Sequence, residues 1–296
     1  MTRSRPILLT LACALLVASL GFVAYKTLHK YHRTVALTDE KEVKVSIEAG
    51  YGTVDVAKGD GATLLNANIE SEGEQQLEDI ISYSKRGGVG YLGVSINADK
   101  ETRGERGSHS ITFNGFESNY WNMRFTDAIP ISFDMELGLG KGIIDLTNLR
   151  VKDLNLSAGA SSVTLNFGAP NKNVIEDMTI ESGLSKFQGQ GLCNANFNHL
   201  KFEGGVGSYV LDFGGELKKE VDVDIEVGLG SLTIIIPEEI GAHIIYEKNW
   251  ISHIDLDRSI SEREDDNYYT SNYASAKGRM NMRVEAGLGT VKIRRN

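Results

Sequence analysis

Six glutamates recur at one place in a repeated phrase: Glu48, Glu136, Glu181, Glu203, Glu226 and Glu285, with Ser157 in the same place of a seventh copy. Each stands two residues before a glycine, directly after an apolar residue. Carboxylates stacked in this way could hold a cation between neighbours, cap backbone N–H groups at the glycine, or present an anionic face to a cationic partner. Pairs about 5–10 Å apart in a groove could also serve glycoside hydrolysis. Like charges placed opposite one another repel, but at a solvated surface that repulsion is small and screened. One Glu per repeat falls short of the roughly six to eight oxygens that calcium takes. A solvated or corner-capping face is therefore expected, and no metal.

Other candidate chemistry is sparse. Gly88-Val89-Gly90-Tyr91-Leu92-Gly93 matches G-x-G-x-x-G, but a β pattern follows it where a dinucleotide site needs a helix. The acidic run Glu262, Glu264, Asp265, Asp266 lacks the spacing and glycine of an EF-hand loop. His109, His199, His243 and His253 show no paired metal-ligand spacing, and no serine sits in a nucleophile elbow. Cys193 alternates with Ala195 and Phe197, which reads as a buried thiol, while Asn194, Asn196 and Asn198 would face outward as an amide ladder. No enzyme and no cofactor is expected.

The elements that would position the glutamates are read from the same phrase. The copies centre on Gly50, Gly138, Gly159, Gly183, Gly205, Gly228 and Gly287, and the five consecutive ones are spaced by 21, 24, 22 and 23 residues. Five residues before each glycine stand Val45, Phe133, Leu154, Met178, Leu200, Val223 and Met282. Three before stand Ile47, Met135, Leu156, Ile180, Phe202, Ile225 and Val284. This alternation is a strand with one buried face. A Gly or Ser two residues after the first glycine marks a bulge or corner needing positive φ, or a close backbone approach; between them any residue is allowed. Alternation then resumes, as in Tyr209/Leu211 and Leu232/Ile234. A fixed period in the twenties marks a solenoid whose units cannot bury their apolar faces alone. The expected fold is all-β: a single-stranded, right-handed β-helix-like solenoid of about 22-residue repeats, behind one N-terminal transmembrane helix.

Composition sets further bounds. The 296 residues carry a net charge of −9, with 32 glycines and only four prolines. Residues 1–33 hold five Lys/Arg and no acids, so the remainder carries −14. A domain this acidic repels nucleic acid and anionic lipid headgroups. Pro6 to Tyr25 is an apolar stretch of about twenty residues, long enough to span a hydrocarbon core and long for a signal-peptide core. Residues 1–33 read as a signal-anchor, with a cleaved signal peptide, and hence a secreted or periplasmic protein, as the alternative. Basic residues flank both ends of the span, so charge leaves its orientation open. A β-rich domain behind an export-like segment is expected to face outward from the cytoplasmic (inner) membrane.

Residues 34–130 form an N-terminal β region with an exposed, charged loop at 99–110. Residues 131–296 form the solenoid, interrupted by an excursion at 237–280. Trp250, Tyr268, Tyr269 and Tyr273 in that excursion either cover the coil end or form a partner surface.

Several phrases together resemble a known family. Trp121-x8-Pro130, Ile131-Ser132-Phe133, Leu137-Gly138-Leu139-Gly140, Ile144 to Leu149 and Leu154 to Ala160 are similar to toast-rack proteins. Val227 to Pro237, Tyr269 to Tyr273 and Val284 to Val291 resemble the C-terminal domain of LiaF-type envelope proteins and related adhesins. The resemblance spans roughly residues 40–296. It implies a bacterial, membrane-associated β-solenoid without catalytic residues, acting as an extracytoplasmic scaffold or protein-interaction module with a protein partner at the cell envelope. It also implies one alternative, a regulator that binds a membrane sensor kinase in envelope stress, although LiaF-type proteins carry several membrane helices before the domain and one is expected here. The carboxylates that stacked rungs could bring together leave a further alternative, a carbohydrate-binding or carbohydrate-processing β-helix.

Overall fold

The computed structural model describes residues 28–72, 80–96, 119–247 and 252–296. The expected membrane span, the loop 99–110 and Trp250 lie outside the described residues. No helix among the described residues is long and apolar enough to cross a membrane.

Strands β1 to β16 follow one another along the chain. Each copy of the glycine phrase forms one long strand: β2 (Glu42–Lys58), β7 (Ile131–Asp145), β8 (Val151–Asn166), β9 (Ile175–Gln190), β10 (Phe197–Asp212), β11 (Glu220–Ile236) and β16 (Arg279–Arg295). These seven pair side by side, all parallel, in the order β2-β7-β8-β9-β10-β11-β16. The chain is an all-β, solenoid-like stack with one long, bent strand per rung.

The bend is visible in the burial. Strand β7 buries Ile131, Phe133, Met135 and Leu137 before its glycine corner, then Ile144 after it. The buried set changes from odd to even positions because the corner inserts one extra residue, as a bulge does. Both arms of the strand therefore face one core. Short return segments add Leu146, Leu149, Phe167 and Phe213 to that core. Phe187 and Phe202 tie neighbouring rungs, with centroids 5.4 Å apart, and Phe202 meets Tyr209 across the bend of its own strand, also at 5.4 Å.

The return segment at Leu192–Ala195 is a 3-10 turn, not the strand that its alternation suggests. Leu192, Cys193 and Ala195 are nevertheless buried. The asparagines beside them make no amide ladder. Asn194 Nδ2 donates to the Phe167 carbonyl at 2.9 Å, and Asn196 Nδ2 donates to the Asn173 carbonyl at 3.1 Å. Asn198, in β10, donates instead to Glu176 and accepts from Lys219. The turn breaks strand geometry, so side-chain amides take over the bonding of backbone carbonyls that a ladder would have satisfied.

Both ends of the stack carry a split rung. At the N-terminal end β5 (Val89–Ile96) pairs with the first arm of β2, and β6 (Asn119–Phe125) with its second arm. At the other end β12 (Gly241–Glu247) and β13 (Ser252–Leu256) flank the two arms of β16. The stretch that reads as an excursion in sequence thus supplies a further rung, and the C-terminal strand slots between it and β11. Antiparallel pieces cover the outer edges. Strands β1 (Leu28–Ala36) and β3 (Thr63–Glu72) continue from β6, β4 (Ile81–Arg86) pairs with β5, and β15 (Asn267–Thr270) and β14 (Ile260–Glu264) continue from β12. Capping of this kind manages the exposed edges of a stack.

Candidate functional site

In-register stacking turns each repeat position into a column along the molecule. Glu48 pairs with Glu136, Glu181 with Glu203, Glu203 with Glu226 and Glu226 with Glu285. Ser157 sits between Glu136 and Glu181 and donates a 3.3 Å hydrogen bond to Glu181. The split rungs extend the column at both ends, with Ser95 beside Glu48 and Glu247 beside Glu285. Glu247 went unnoticed in the sequence because no glycine corner follows it.

The column is partly balanced. Lys201 forms an ion pair with Glu203, and hydrogen bonding to that carboxylate raises the Lys201 pKa. Arg283 lies 3.5 Å from Glu247 and 4.0 Å from Asp224. Glu136, Glu226 and Glu285 make no side-chain hydrogen bond or ion pair among the described residues. No group of three or more His, Cys, Asp or Glu among the described residues could hold a metal ion. On the same outer face His199 bridges two rungs, 3.3 Å from Asp177 and 3.0 Å from Asp224. Burial there opposes protonation, but the hydrogen bonds to Asp224 and Asp177 outweigh it and raise the His199 pKa.

Beside the glutamates runs a groove of about 880 Å³, with the first glycine of each corner along its length. Space, not dihedral angle, demands glycine here. A Cβ on Gly228 would stand 2.9 Å from the Gly205 carbonyl oxygen, and one on Gly205 would stand 2.9 Å from that of Gly183. Four of the five second glycines have the angular requirement: φ is 116° at Gly52, 131° at Gly140 and 138° at Gly230 and Gly289, and Gly207 is the exception.

The residue between the two glycines is Tyr51, Leu139, Ala160, Leu184, Val206, Leu229 or Leu288. The sequence reading allowed any residue there, yet all seven are apolar. Five of them also point outward, while Tyr51 and Ala160 are half-buried. Leu184 is 67% exposed and Leu139, Val206, Leu229 and Leu288 are 38–46% exposed. These are five of the nine large apolar side chains exposed among the described residues, so the exposure is concentrated and not scattered. Two residues further on, the column Thr53, Lys141, Ser162, Lys186, Ser208, Ser231 and Thr290 is polar throughout. The apolar ridge was legible in the sequence by comparing these two columns.

The aromatic residues of the C-terminal region divide. Tyr268 is buried in the core, as is Trp121. Tyr269 stacks on its cross-strand neighbour His243, with centroids 4.3 Å apart and planes 4° from parallel, and Tyr273 meets Tyr269 edge-on at 5.4 Å. The Arg263 guanidinium lies 4.8 Å from the Tyr269 ring centre. This cluster covers the end of the stack and is separate from the corner columns. Burial pushes the Cys193 thiol well up, so it is inert as a nucleophile.

Comparison with known proteins finds no match among curated ones. Among solved structures, a proposed cell adhesion protein from Clostridium sporogenes is 21% identical, covering 91% of this chain and 100% of that one with a TM-score of 0.45. A proposed adhesin from Bacteroides fragilis is 13% identical, covering 90% and 97%, with a TM-score of 0.42. These scores are low, and the family assignment stands on the sequence profile. The profile of the N-terminal domain of toast_rack, DUF2154, matches residues 25–189 and again 171–235, together well over half of the chain. That match, over a chain of parallel rungs each bent at a glycine corner, makes this protein a member of the toast-rack family.

Proposed function

We propose that the protein is a non-enzymatic interaction module of the cell envelope, held at the membrane by its N-terminal segment with the β-domain outside the cytoplasm. The observation that carries this reading is the in-register display of acidic columns along a rigid stack. The glutamate column is flanked on the same outer face by Asp134, Asp153, Asp177, Asp222 and Asp224. A stack with a continuous core resists bending, so its spacing of charges is fixed before any partner arrives, and preorganisation of that kind lowers the ordering cost of binding. The glutamates lie along an open groove, and the only cysteine among the described residues is buried. A scaffold that presents a surface needs neither a nucleophile nor a metal.

The test is crosslinking of the full-length protein in membranes of its native host, with mass spectrometry of co-purified chains and a variant lacking residues 1–33 as control. Reproducible enrichment of an envelope protein supports the module. Recovery of glycan fragments without a protein partner would replace it with a carbohydrate-binding reading.

A further inference from the structure

We propose that the glutamate-lined groove, together with the apolar ridge that follows each of its glycines by one residue, docks one cationic amphipathic α-helix of a partner protein, laid along the stacking axis. This deepens the interaction reading above and rests on it. Three features of the corner select the occupant. The ridge residues Leu139, Leu184, Val206, Leu229 and Leu288 stay apolar although their side chains meet solvent, while the neighbouring polar column shows that the corner accepts Ser, Thr and Lys. An exposed apolar stripe rimmed by polar residues marks an interaction surface. The carboxylates of Glu136 and Glu285, unpaired among the described residues, ask for positive charge on the same partner, and Lys201 only partly offsets Glu181, Glu203 and Glu226.

Charge also excludes the simpler occupants. A second copy laid face to face would set one glutamate column against another. An anionic lipid surface meets the same repulsion.

Spacing separates a helix from an extended peptide. Rungs repeat every ~4.8 Å, whereas same-face side chains of an extended strand repeat every ~6.7 Å. A helix repeats every ~5.4 Å and keeps an apolar row beside a basic row over several turns. The seven long strands span about 29 Å, which matches a helix of about twenty residues. A helix seated by its apolar row in a groove follows a recurring recognition mode.

The test uses the full-length protein in a non-ionic detergent and a synthetic twenty-residue peptide. The peptide carries Leu at i, i+3, i+4 and i+7, Lys along one flank, and a photo-reactive group on the apolar row. A scrambled peptide of the same composition controls for charge and for partition into detergent. Cross-links are expected on Leu184, Val206 and Leu229, with little from the scrambled peptide. The triple variant Leu184→Ser/Leu229→Ser/Leu288→Ser should lower the yield about ten- to a hundredfold with an unchanged melting curve. Glu181→Gln/Glu226→Gln/Glu285→Gln should weaken binding and flatten its salt dependence. Cross-links spread over the whole acidic face, or an equal yield from the serine variant, would overturn the proposal. So would binding of neutral phosphatidylcholine vesicles that the same serine changes abolish, which would assign the ridge to lipid. If the peptide fails while host-membrane crosslinking still captures a partner, the interaction reading survives and the groove is not its site.

Discussion

Gly228 lies so close to Gly205 in the neighbouring rung that a Cβ on Gly228 would stand 2.9 Å from the Gly205 carbonyl oxygen. The same relation joins Gly205 to Gly183, and at 3.0 Å Gly183 to Gly159. The corner glycines are fixed by stacking, which no single rung could reveal.

Substitution at the corner should therefore be felt by the whole stack. Gly228→Val forces the Gly205 carbonyl to move and is expected to destabilise the fold by about 1–3 kcal/mol, as overpacking does. Gly230→Ala adds backbone strain at φ 138° to a clash with Gly207 and should lose at least as much. Glu226→Ala, on the solvent face two residues away, should leave stability within about 0.5 kcal/mol. Guanidinium melts of the three variants check the order; equal midpoints for Gly228→Val and wild type would remove the stacking argument.

Asn171 is a buried rivet between return segments. Its Nδ2 donates to the carbonyls of Val151 at 2.7 Å and Ala195 at 3.1 Å, and its Oδ1 accepts from the Val151 N–H at 3.0 Å. Asn171→Ala leaves these buried groups unsatisfied and should lose about 2–4 kcal/mol. The loss should appear in thermal melts, and in amide exchange as faster opening at Val151.

The C-terminal strand should behave unlike the last unit of an ordinary solenoid. Because β16 lies between β11 and the β12/β13 rung, truncation after Gly278 leaves an empty place inside the stack. Hydrogen exchange should show loss of protection across β11 and β12 together. Protection retained in β12 would show that the end rung is held without β16.

Acid should release the latch at the N-terminal end. Glu40 is buried, which pushes its pKa up, but hydrogen bonds from the Tyr83 hydroxyl and from the Thr38 amide (2.7 Å) outweigh this and hold it at about 2. The folded pKa is below the ordinary value of 4.5, so the stabilisation is fully present above that value and fades as pH falls towards 2. Tyr83→Phe should lose about 1–2 kcal/mol at neutral pH and flatten the melting temperature between pH 4.5 and 2. An unchanged acid limb in the variant would detach the pair from the effect.

His199 should act in the opposite pH direction. Its folded pKa is raised above 6.5 by Asp224 and Asp177. Its contribution is therefore complete below that value and lost as pH rises through the folded pKa. An NMR titration should place His199 above 6.5, and Asp224→Asn should move it down. A titration midpoint unaffected by that change would show that Asp224 is not the cause.

The sequence by itself determined the unit: strand, glycine corner, strand, with two apolar columns in every copy and glutamate facing out. Alternation and period are local properties, so Ile47 or Phe202 could be assigned to the core without knowing its neighbours. The resemblance to toast-rack proteins was legible in the same phrases. Tertiary structure alone decided the order of the rungs. The 59-residue gap before Gly287 reads as an interruption, yet β16 fills a place beside β11 because an unpaired strand with two-arm apolar burial is most stable between two others. Only pairing across rungs added Glu247 to the acidic column, turned Asn194 and Asn196 from a ladder into clasps on backbone carbonyls, and sent Tyr268 into the core while leaving Tyr269 on the surface. The exposure of Leu184, Leu229 and Leu288 followed from the bulge, where one added residue turns outward a position that plain alternation would have buried.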